Sequence, residues 1–158
     1  NEEILLNRQR ELHERNIRIR FIGRRDRRVP RRLVRRMEEA TALTRDNTGL
    51  TFTIAFNYGG RAELVDAVQQ IVDGDTRRVT EQTIARHLYD PEMPEPDLVI
   101  RTSGEYRVSN FLLWKLAYSE LVFSDTLWPD FRREHLYAAI KEYQDRDRRY
   151  GGVGGPEA

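Results

Sequence analysis

The alternation of short apolar strands with amphipathic helical segments is the feature that most constrains how this chain can fold. Four runs are predicted as strands from their β-branched, aromatic and aliphatic residues: 16–23, 50–58, 97–100 and 121–123. Helical patterns precede, separate and follow these runs: 2–15, 30–46, 61–72, 80–87, 109–118 and 131–148. Because strands that alternate with helices form α/β layers, we predict a mainly parallel sheet flanked by helices.

Residues with strong positional preferences mark the ends of several predicted helices. Pro30 is suited to the first turn of one helix, and the Asn-Thr-Gly run at 47–49 is suited to its end. Thr80 is predicted as the N-cap of a short helix, and Asp130 as the N-cap of the final one.

The composition excludes several classes of protein. The chain has no cysteine, which excludes disulfide scaffolds, thiolate metal sites and cysteine nucleophiles, and its three histidines are scattered. No apolar run approaches the roughly 18 residues that a transmembrane helix needs. Residues 1–20 are charged throughout and do not resemble a signal peptide. We therefore expect a cytoplasmic protein whose membrane contact is at most peripheral.

Basic charge is concentrated in the first quarter of the chain. Residues 1–37 contain 13 arginines against five acidic residues, whereas the whole chain carries a net charge of +1. A nucleic-acid-binding module is one interpretation of this arginine-rich stretch. The stretch lacks base-stacking aromatic residues and a recognised motif, so solvent-facing sides of a strand and a helix explain it better. We expect no nucleic-acid partner.

α/β sheets bind ligands at the carboxyl ends of their parallel strands. Two segments lie at such ends of the predicted strands, 57–61 and 101–109. In the second segment Arg101, Arg107 and Ser109 offer forked cationic donors and a hydroxyl, which suit phosphate oxygens. The predicted helix start at Ser109 would add free backbone amides. An equally weighted alternative is a structural network in which both arginines pair with Glu105 and Glu120. Glu120 also offers a carboxylate of the kind that binds Mg²⁺ beside a diphosphate.

Several motifs, taken in their order along the chain, resemble those of a known protein family. Residues 101–114 read RTSGEYRVSNFLLW, and residues 117–120 and 127–131 read AYSE and LWPDF. The runs NTGL, NYGGR and RYG stand at 47–50, 57–61 and 149–151. Together these motifs closely resemble the C-terminal signature and middle region of cis-prenyltransferases, a family that includes undecaprenyl and decaprenyl diphosphate synthases and short-chain (Z)-prenyl diphosphate synthases. The resemblance covers residues 10 to 152, which is nearly the whole chain.

The resemblance implies an activity and a set of substrate contacts. Family members condense isopentenyl diphosphate with an allylic diphosphate and form a new cis double bond. By position, Arg101, Arg107 and Ser109 would bind the diphosphate of isopentenyl diphosphate, and Glu105 would orient the arginines. Glu120 would help to bind Mg²⁺, reaching the partner subunit's site across a homodimer interface.

The remaining roles implied by the resemblance lie at its two ends. Arg149 and Gly151 would complete the phosphate site near the dimer interface, and Asp130 would contribute to it. The Gly59-Gly60 turn would shape the floor of the pocket. Peripheral membrane contact would follow from a lipid product.

One departure from the family pattern changes what this sequence should do alone. Family members begin with a phosphate-binding loop, Met-Asp-Gly-Asn-Gly-Arg-Trp, whose aspartate binds Mg²⁺, and no such loop occurs here. We expect residues 1–150 to form an N-terminally incomplete cis-prenyltransferase domain, inactive alone, with a flexible tail at 151–158. The alternative is a non-catalytic partner subunit of a heteromeric enzyme. The intact set Arg101, Arg107, Ser109 and Glu120 argues against that alternative.

Overall fold

The computed structural model describes residues 2–74 and 76–146, which divide into two compact units. Unit 1 runs to Met93 and includes Asn110–Trp114; unit 2 comprises Pro94–Ser109 and the chain from Lys115 onward. The helices are α1 (Glu2–Glu14), α2 (Arg31–Leu43), α3 (Gly60–Asp73), α4 (Glu81–Arg86) and α5 (Arg133–Gln144). The strands are β1 (Arg18–Ile22), β2 (Thr51–Ala55), β3 (Leu98–Arg101) and β4 (Glu120–Phe123).

Unit 1 is built on a parallel pair of strands. β1 pairs with β2 in a register that runs from Arg18 opposite Thr51 to Ile22 opposite Ala55. α2 packs on β1 and also contacts α1. Ile19 and Ile22 of β1 are buried, and α2 contributes Met37 to the buried set. The predicted half-buried strand and the helix that covers it are both confirmed.

A buried hydroxyl fixes the end of α2 and corrects its predicted length. The pattern predicts a helix to residue 46, but α2 ends at Leu43. The Thr44 side chain is fully buried, donates to the Ala40 carbonyl at 2.9 Å and accepts the Ile19 N–H at 2.9 Å. Because Thr44 joins the helix end to the strand, the chain turns here and does not continue the helix.

The second half of unit 1 contains α3 and α4. α3 buries Ala67 and Ile71 and contacts α4. Thr80 caps α4 as predicted: its hydroxyl accepts the Thr83 N–H at 3.2 Å, and the Thr83 hydroxyl accepts the Thr80 N–H.

Unit 2 is built on a second parallel pair. β3 pairs with β4 from Leu98 opposite Glu120 to Arg101 opposite Phe123, and α5 contacts both strands. Val122 and Ala139 are buried. With parallel strands and helices in both units, the predicted α/β class is confirmed.

The helix predicted at 109–118 is wrong, since this segment is a series of turns. Ser109, Asn110 and Leu112 have φ values of +48°, +64° and +42°. Left-handed backbone at three of four positions is incompatible with a right-handed helix. The predicted helix dipole and helix-start amides are therefore absent at Ser109.

The cap predicted at Asp130 is also wrong. Asp130 closes a short 3₁₀ helix, Trp128–Asp130, in which Pro129 occupies an early position. α5 begins three residues later, where the N–H of Arg132 is accepted by Nδ1 of His135 at 2.9 Å.

None of the helices in the described part of the chain combines the length and the hydropathy that crossing a bilayer requires.

Candidate functional site

Arg101 is the last residue of β3 and lies at the carboxyl end of the parallel pair in unit 2. Its backbone carbonyl accepts the Ser124 N–H at 2.8 Å, which continues the ladder. Its side-chain Nε is buried and has no hydrogen-bond partner among the described residues. A buried guanidinium nitrogen without an acceptor is costly unless an anion satisfies it. Arg101 is therefore suited to receive an anionic ligand.

The loop that follows Arg101 uses its backbone amides within the protein. The N–H of Ser103 donates to the Thr126 carbonyl at 2.9 Å, and the N–H of Gly104 donates to the Ser124 carbonyl at 3.0 Å. Both residues have left-handed backbone, with φ of +71° and +64°. These two amides are hydrogen-bonded within the protein and are therefore not free to bind an anion.

Arg107 and Ser109 are exposed on this same segment. Arg107 pairs with Glu105 at 2.5 Å, and its side chain keeps 69% of its surface exposed. One half of the structural alternative is thus realised, because Glu105 does hold Arg107. The other half is not, because Glu120 pairs with neither Arg101 nor Arg107.

Glu120 lies at the opposite end of the strand pair from Arg101. It begins β4 opposite Leu98, three ladder positions before the pair formed by Arg101 and Phe123. At about 3.3 Å per residue, this separates the two backbones by roughly 10 Å along the strands. The Glu120 carboxylate accepts a charge-assisted hydrogen bond from Arg146 at 2.8 Å, and both side chains are about one-third exposed. The hydrogen bonds that Arg146 donates to Glu120 and Glu142 raise the pKa of Arg146.

The described residues contain no group of three or more histidine, cysteine, aspartate or glutamate side chains close enough to bind a metal ion. Glu120 offers a single carboxylate, and Asp125 is occupied by the Tyr106 hydroxyl, which donates to it at 3.2 Å. Asp130 is exposed at the end of the 3₁₀ helix. Arg149 and Gly151 lie outside the described residues.

Gly59 and Gly60 begin α3 in unit 1, where they make room for Asn110. The Gly60 N–H donates to the Asn110 carbonyl at 2.7 Å, and the Arg61 N–H donates to Asn110 Oδ1 at 2.8 Å. A Cβ at Gly59 would lie 2.9 Å from Asn110 Nδ2, and one at Gly60 would lie 2.7 Å from Leu113 Cγ. Sequence reasoning missed Asn110, although asparagine is the non-glycine residue that best tolerates its left-handed backbone.

A network of polar side chains, also missed from the sequence, lies where β1 and β2 end in unit 1. Glu63 is buried and accepts two hydrogen bonds, from the Tyr58 hydroxyl at 2.5 Å and from the Tyr89 N–H at 3.0 Å. The Tyr89 hydroxyl donates to Asp66, which also receives a bidentate pair from Arg24 at 2.6 and 2.8 Å. The network therefore connects α3 to the loops that follow both strands.

The contacts within this network shift the pKa values of its side chains. Burial and the bond to Asp66 raise the pKa of Tyr89 to about 12. Burial and the bond to Glu63 raise the pKa of Tyr58 further. The Arg24 guanidinium lowers the pKa of Asp66, while hydrogen bonds to Asp66 and Tyr89 raise the pKa of Arg24. Both phenols therefore stay protonated and act as donors at neutral pH.

Sequence comparison identifies enzymes of known class as relatives. The chain is 49% identical to the isoprenyl transferase of Neisseria gonorrhoeae over 142 residues, which are 90% of this chain and 57% of the relative. It is 48% identical to a trans,polycis-polyprenyl diphosphate synthase of Thermobifida fusca, described as (2Z,6E)-farnesyl diphosphate specific, over 97% of this chain and 56% of the relative. The chain thus spans little more than half the length of these relatives.

Structure comparison agrees with the sequence relatives. The lavandulyl diphosphate synthase of Lavandula x intermedia, in complex with dimethylallyl diphosphate, matches with a TM-score of 0.89 and 34% identity over 95% of this chain and 67% of that one. A probable undecaprenyl diphosphate synthase of Campylobacter jejuni matches with a TM-score of 0.85 and 27% identity, over 95% of this chain and 70% of that one. The family model described as "Putative undecaprenyl diphosphate synthase" matches residues 1–151. The resemblance read from the motifs is confirmed, and the chain belongs to the undecaprenyl diphosphate synthase family.

Proposed function

We propose that this chain belongs to an enzyme that condenses isopentenyl diphosphate with an allylic diphosphate and forms a cis-prenyl or cis-polyprenyl diphosphate. The observation that carries the proposal is identity of almost one-half, over nine-tenths of the chain, to relatives named isoprenyl transferase and polyprenyl diphosphate synthase. Because these relatives are named as enzymes, transfer is favoured over a non-catalytic partner subunit.

The chain's own contribution is the diphosphate site for isopentenyl diphosphate, formed by Arg101, Arg107 and Ser109. Arg101 presents a buried nitrogen that has no acceptor among the described residues, and a phosphate oxygen would satisfy it. Arg107 is exposed and held by Glu105, so it can turn to a ligand while its carboxylate partner limits its range. The Ser109 hydroxyl is exposed and can donate a further bond.

The described residues provide part of the coordination that a divalent cation needs. Mg²⁺ commonly takes one or two protein carboxylates and completes its shell with phosphate oxygens and water, so Glu120 alone is a sufficient protein contribution only if the diphosphate also binds the ion. When bound, Mg²⁺ would neutralise the charge that develops on the leaving diphosphate. In the structure, Arg146 donates a hydrogen bond to the Glu120 carboxylate, which a bound cation would have to share or replace.

A homodimer is part of the proposal, and exposed aromatic surface in unit 2 supports it. Tyr118 is 84% exposed and Trp128 is 71% exposed. Trp128 stacks on Phe131, with ring centroids 6.1 Å apart. Large exposed aromatic residues are typical of protein interfaces. Through the resemblance, Arg149, Gly151, Asp130 and the Gly59-Gly60 turn also belong to the proposed site. A cytoplasmic enzyme whose lipid product brings it to a membrane completes the proposal.

Substitution of Arg101 tests the assignment in the full-length enzyme. Each charge-assisted hydrogen bond contributes about 1.5–3 kcal/mol, so Arg101→Ala should lower kcat/KM for isopentenyl diphosphate by at least about tenfold. Arg86→Ala is the control, because it removes an exposed arginine from unit 1. Steady-state prenyl transfer with radiolabelled isopentenyl diphosphate measures both. Unchanged kinetics in Arg101→Ala would contradict the site, and absence of prenyl transfer by the unmodified enzyme would contradict the function.

A further inference from the structure

The segment at residues 24–36 carries the densest charge in the chain. It reads RRDRRVPRRLVRR and contains eight arginines and one aspartate, a net charge of +7 within 13 residues. Because the whole chain carries +1, everything outside this segment totals −6. The segment leaves β1 and continues into the first two turns of α2. The proposed site uses none of these arginines.

Six of the eight arginines are exposed, and we call them the arginine patch: Arg25, Arg27, Arg28, Arg31, Arg32 and Arg35. Three of them have an acidic partner, since Arg25 pairs with Glu38, Arg28 with Asp26 and Arg35 with Glu39. The other three, Arg27, Arg31 and Arg32, have no ion pair with the described side chains, those of residues 8–74 and 76–146. The patch therefore presents uncompensated positive charge to its surroundings.

Fold stability does not explain this arrangement. Arg31 and Arg32 occupy the first turn of α2, which contains no acidic residue, and Pro30 provides no side-chain cap. The positive end of the helix macrodipole repels cations and favours anions at this position. The arginines are thus placed where they destabilise the free helix slightly and where an external anion would stabilise it.

We propose that the arginine patch docks the enzyme on the anionic surface of a lipid bilayer, through contacts to headgroup phosphates. The choice of a membrane rests on the proposed function, because a polyprenyl product is a lipid that must leave into a bilayer. The segment contains no aromatic residue on which bases could stack, which disfavours single-stranded nucleic acid. The net negative charge of the rest of the chain is repelled by the same surface, so the patch also sets the orientation of docking.

The number of unpaired arginines in the patch predicts how much their replacement weakens membrane binding. A lysine or arginine beside an anionic membrane contributes about 1 kcal/mol to binding. Replacement of Arg27, Arg31 and Arg32 by glutamine should therefore weaken the partition coefficient on the order of 100-fold. Raising the salt concentration should abolish most of the binding, since these charges are exposed and screened.

Co-sedimentation of the full-length enzyme with vesicles tests the proposal. One set of vesicles contains phosphatidylcholine and phosphatidylglycerol, and the other contains phosphatidylcholine alone. The control variant carries Arg77→Gln, Arg78→Gln and Arg86→Gln, an equal loss of charge from exposed arginines outside the patch. Binding to the anionic vesicles that the patch variant loses and the control retains supports the proposal.

Three outcomes would overturn it: equal binding of the two variants, equal binding to neutral vesicles, or tighter binding of duplex DNA than of anionic vesicles at the same salt concentration. Thermal melting of both variants shows whether they are folded. Prenyl transfer, assayed without vesicles, is a separate readout. An enzyme that docks through the patch but transfers no prenyl group would contradict the proposed function and leave the docking surface standing.

Discussion

Asn110 provides the sharpest test of how unit 1 is held together. Its Oδ1 accepts the Arg61 N–H at 2.8 Å and so caps α3 from a distant part of the sequence, at a place where Gly59 offers no side chain. Its backbone has a φ of +64°, which asparagine tolerates and alanine does not. Asn110→Ala therefore removes a cap and imposes backbone strain in one step.

The expected magnitude is the sum of these two losses. A lost helix cap costs about 1 kcal/mol, and a left-handed alanine costs about another 1 kcal/mol. Asn110→Gly separates them, because glycine accepts the backbone but provides no cap, and should cost about 1 kcal/mol or less. Asn110→Asp keeps the acceptor and adds a favourable negative charge at a helix N-terminus, so it should be nearly neutral.

Urea denaturation of the four proteins measures the free energy of unfolding, with an unchanged m value as the check on two-state behaviour. The order of stability should be wild type and Asn110→Asp first, Asn110→Gly next and Asn110→Ala last. The reasoning fails if Asn110→Ala lies within about 0.5 kcal/mol of the wild type, the range of an ordinary surface substitution. It also fails if Asn110→Gly is the less stable of the two.

Three further predictions follow from packing and titration. Gly60→Ala should destabilise the protein by about 1–3 kcal/mol in the same assay, because its Cβ would lie 2.7 Å from Leu113 Cγ. Gly74→Ala, whose Cβ would lie 3.3 Å from the Gln70 carbonyl oxygen, should cost less. The hydrogen bond from Arg28 lowers the pKa of Asp26 to about 2, so its stabilisation is complete above the unfolded pKa of about 3.9 and disappears as the pH falls toward 2. Melting temperatures of the wild type and Asp26→Asn should converge over that range; a constant difference would refute the assignment. Burial raises the pKa of Tyr89 to about 12, so its contribution is complete below the unfolded pKa of about 10 and is lost between pH 10 and 12. Tyr89→Phe should lack this alkaline loss, which spectroscopic pH titration of unfolding can detect.

The fold class was accessible from the sequence because its signal is local. Alternating arginine and apolar residues in β1 and the helical spacing of α3 are patterns of neighbouring residues, and the structure forms a strand at the first and a helix at the second. The Thr80 cap is equally local. The wrong helix at 109–118 involves a contact that is distant in sequence. The segment after Ser109 has helical spacing, but Asn110 meets an α3 amide 49 residues away, and that contact determines its backbone.

The candidate site also has features that the sequence predicts and features that it does not. The motif at 101–109 predicts which side chains carry charge, and Arg101 Nε has no hydrogen-bond partner in the described part of the chain. The pairing of those charges depends on geometry that spacing does not encode. Glu120 pairs with Arg146, 26 residues away, and the network of Glu63, Tyr58 and Tyr89 has no sequence motif that announces it.

The ion pair between Glu120 and Arg146 has a consequence for the proposed binding of a cation. A cation at Glu120 would compete with Arg146 for the same carboxylate, since the arginine already donates to it at 2.8 Å. Arg146 also bonds to Glu142 one turn earlier in α5, so releasing it would shift charge along the end of that helix. If Glu120 binds a cation as proposed, cation binding and the ion pair with Arg146 would be thermodynamically linked. Whatever stabilises one partner of Glu120 weakens the other, by the same factor in both directions.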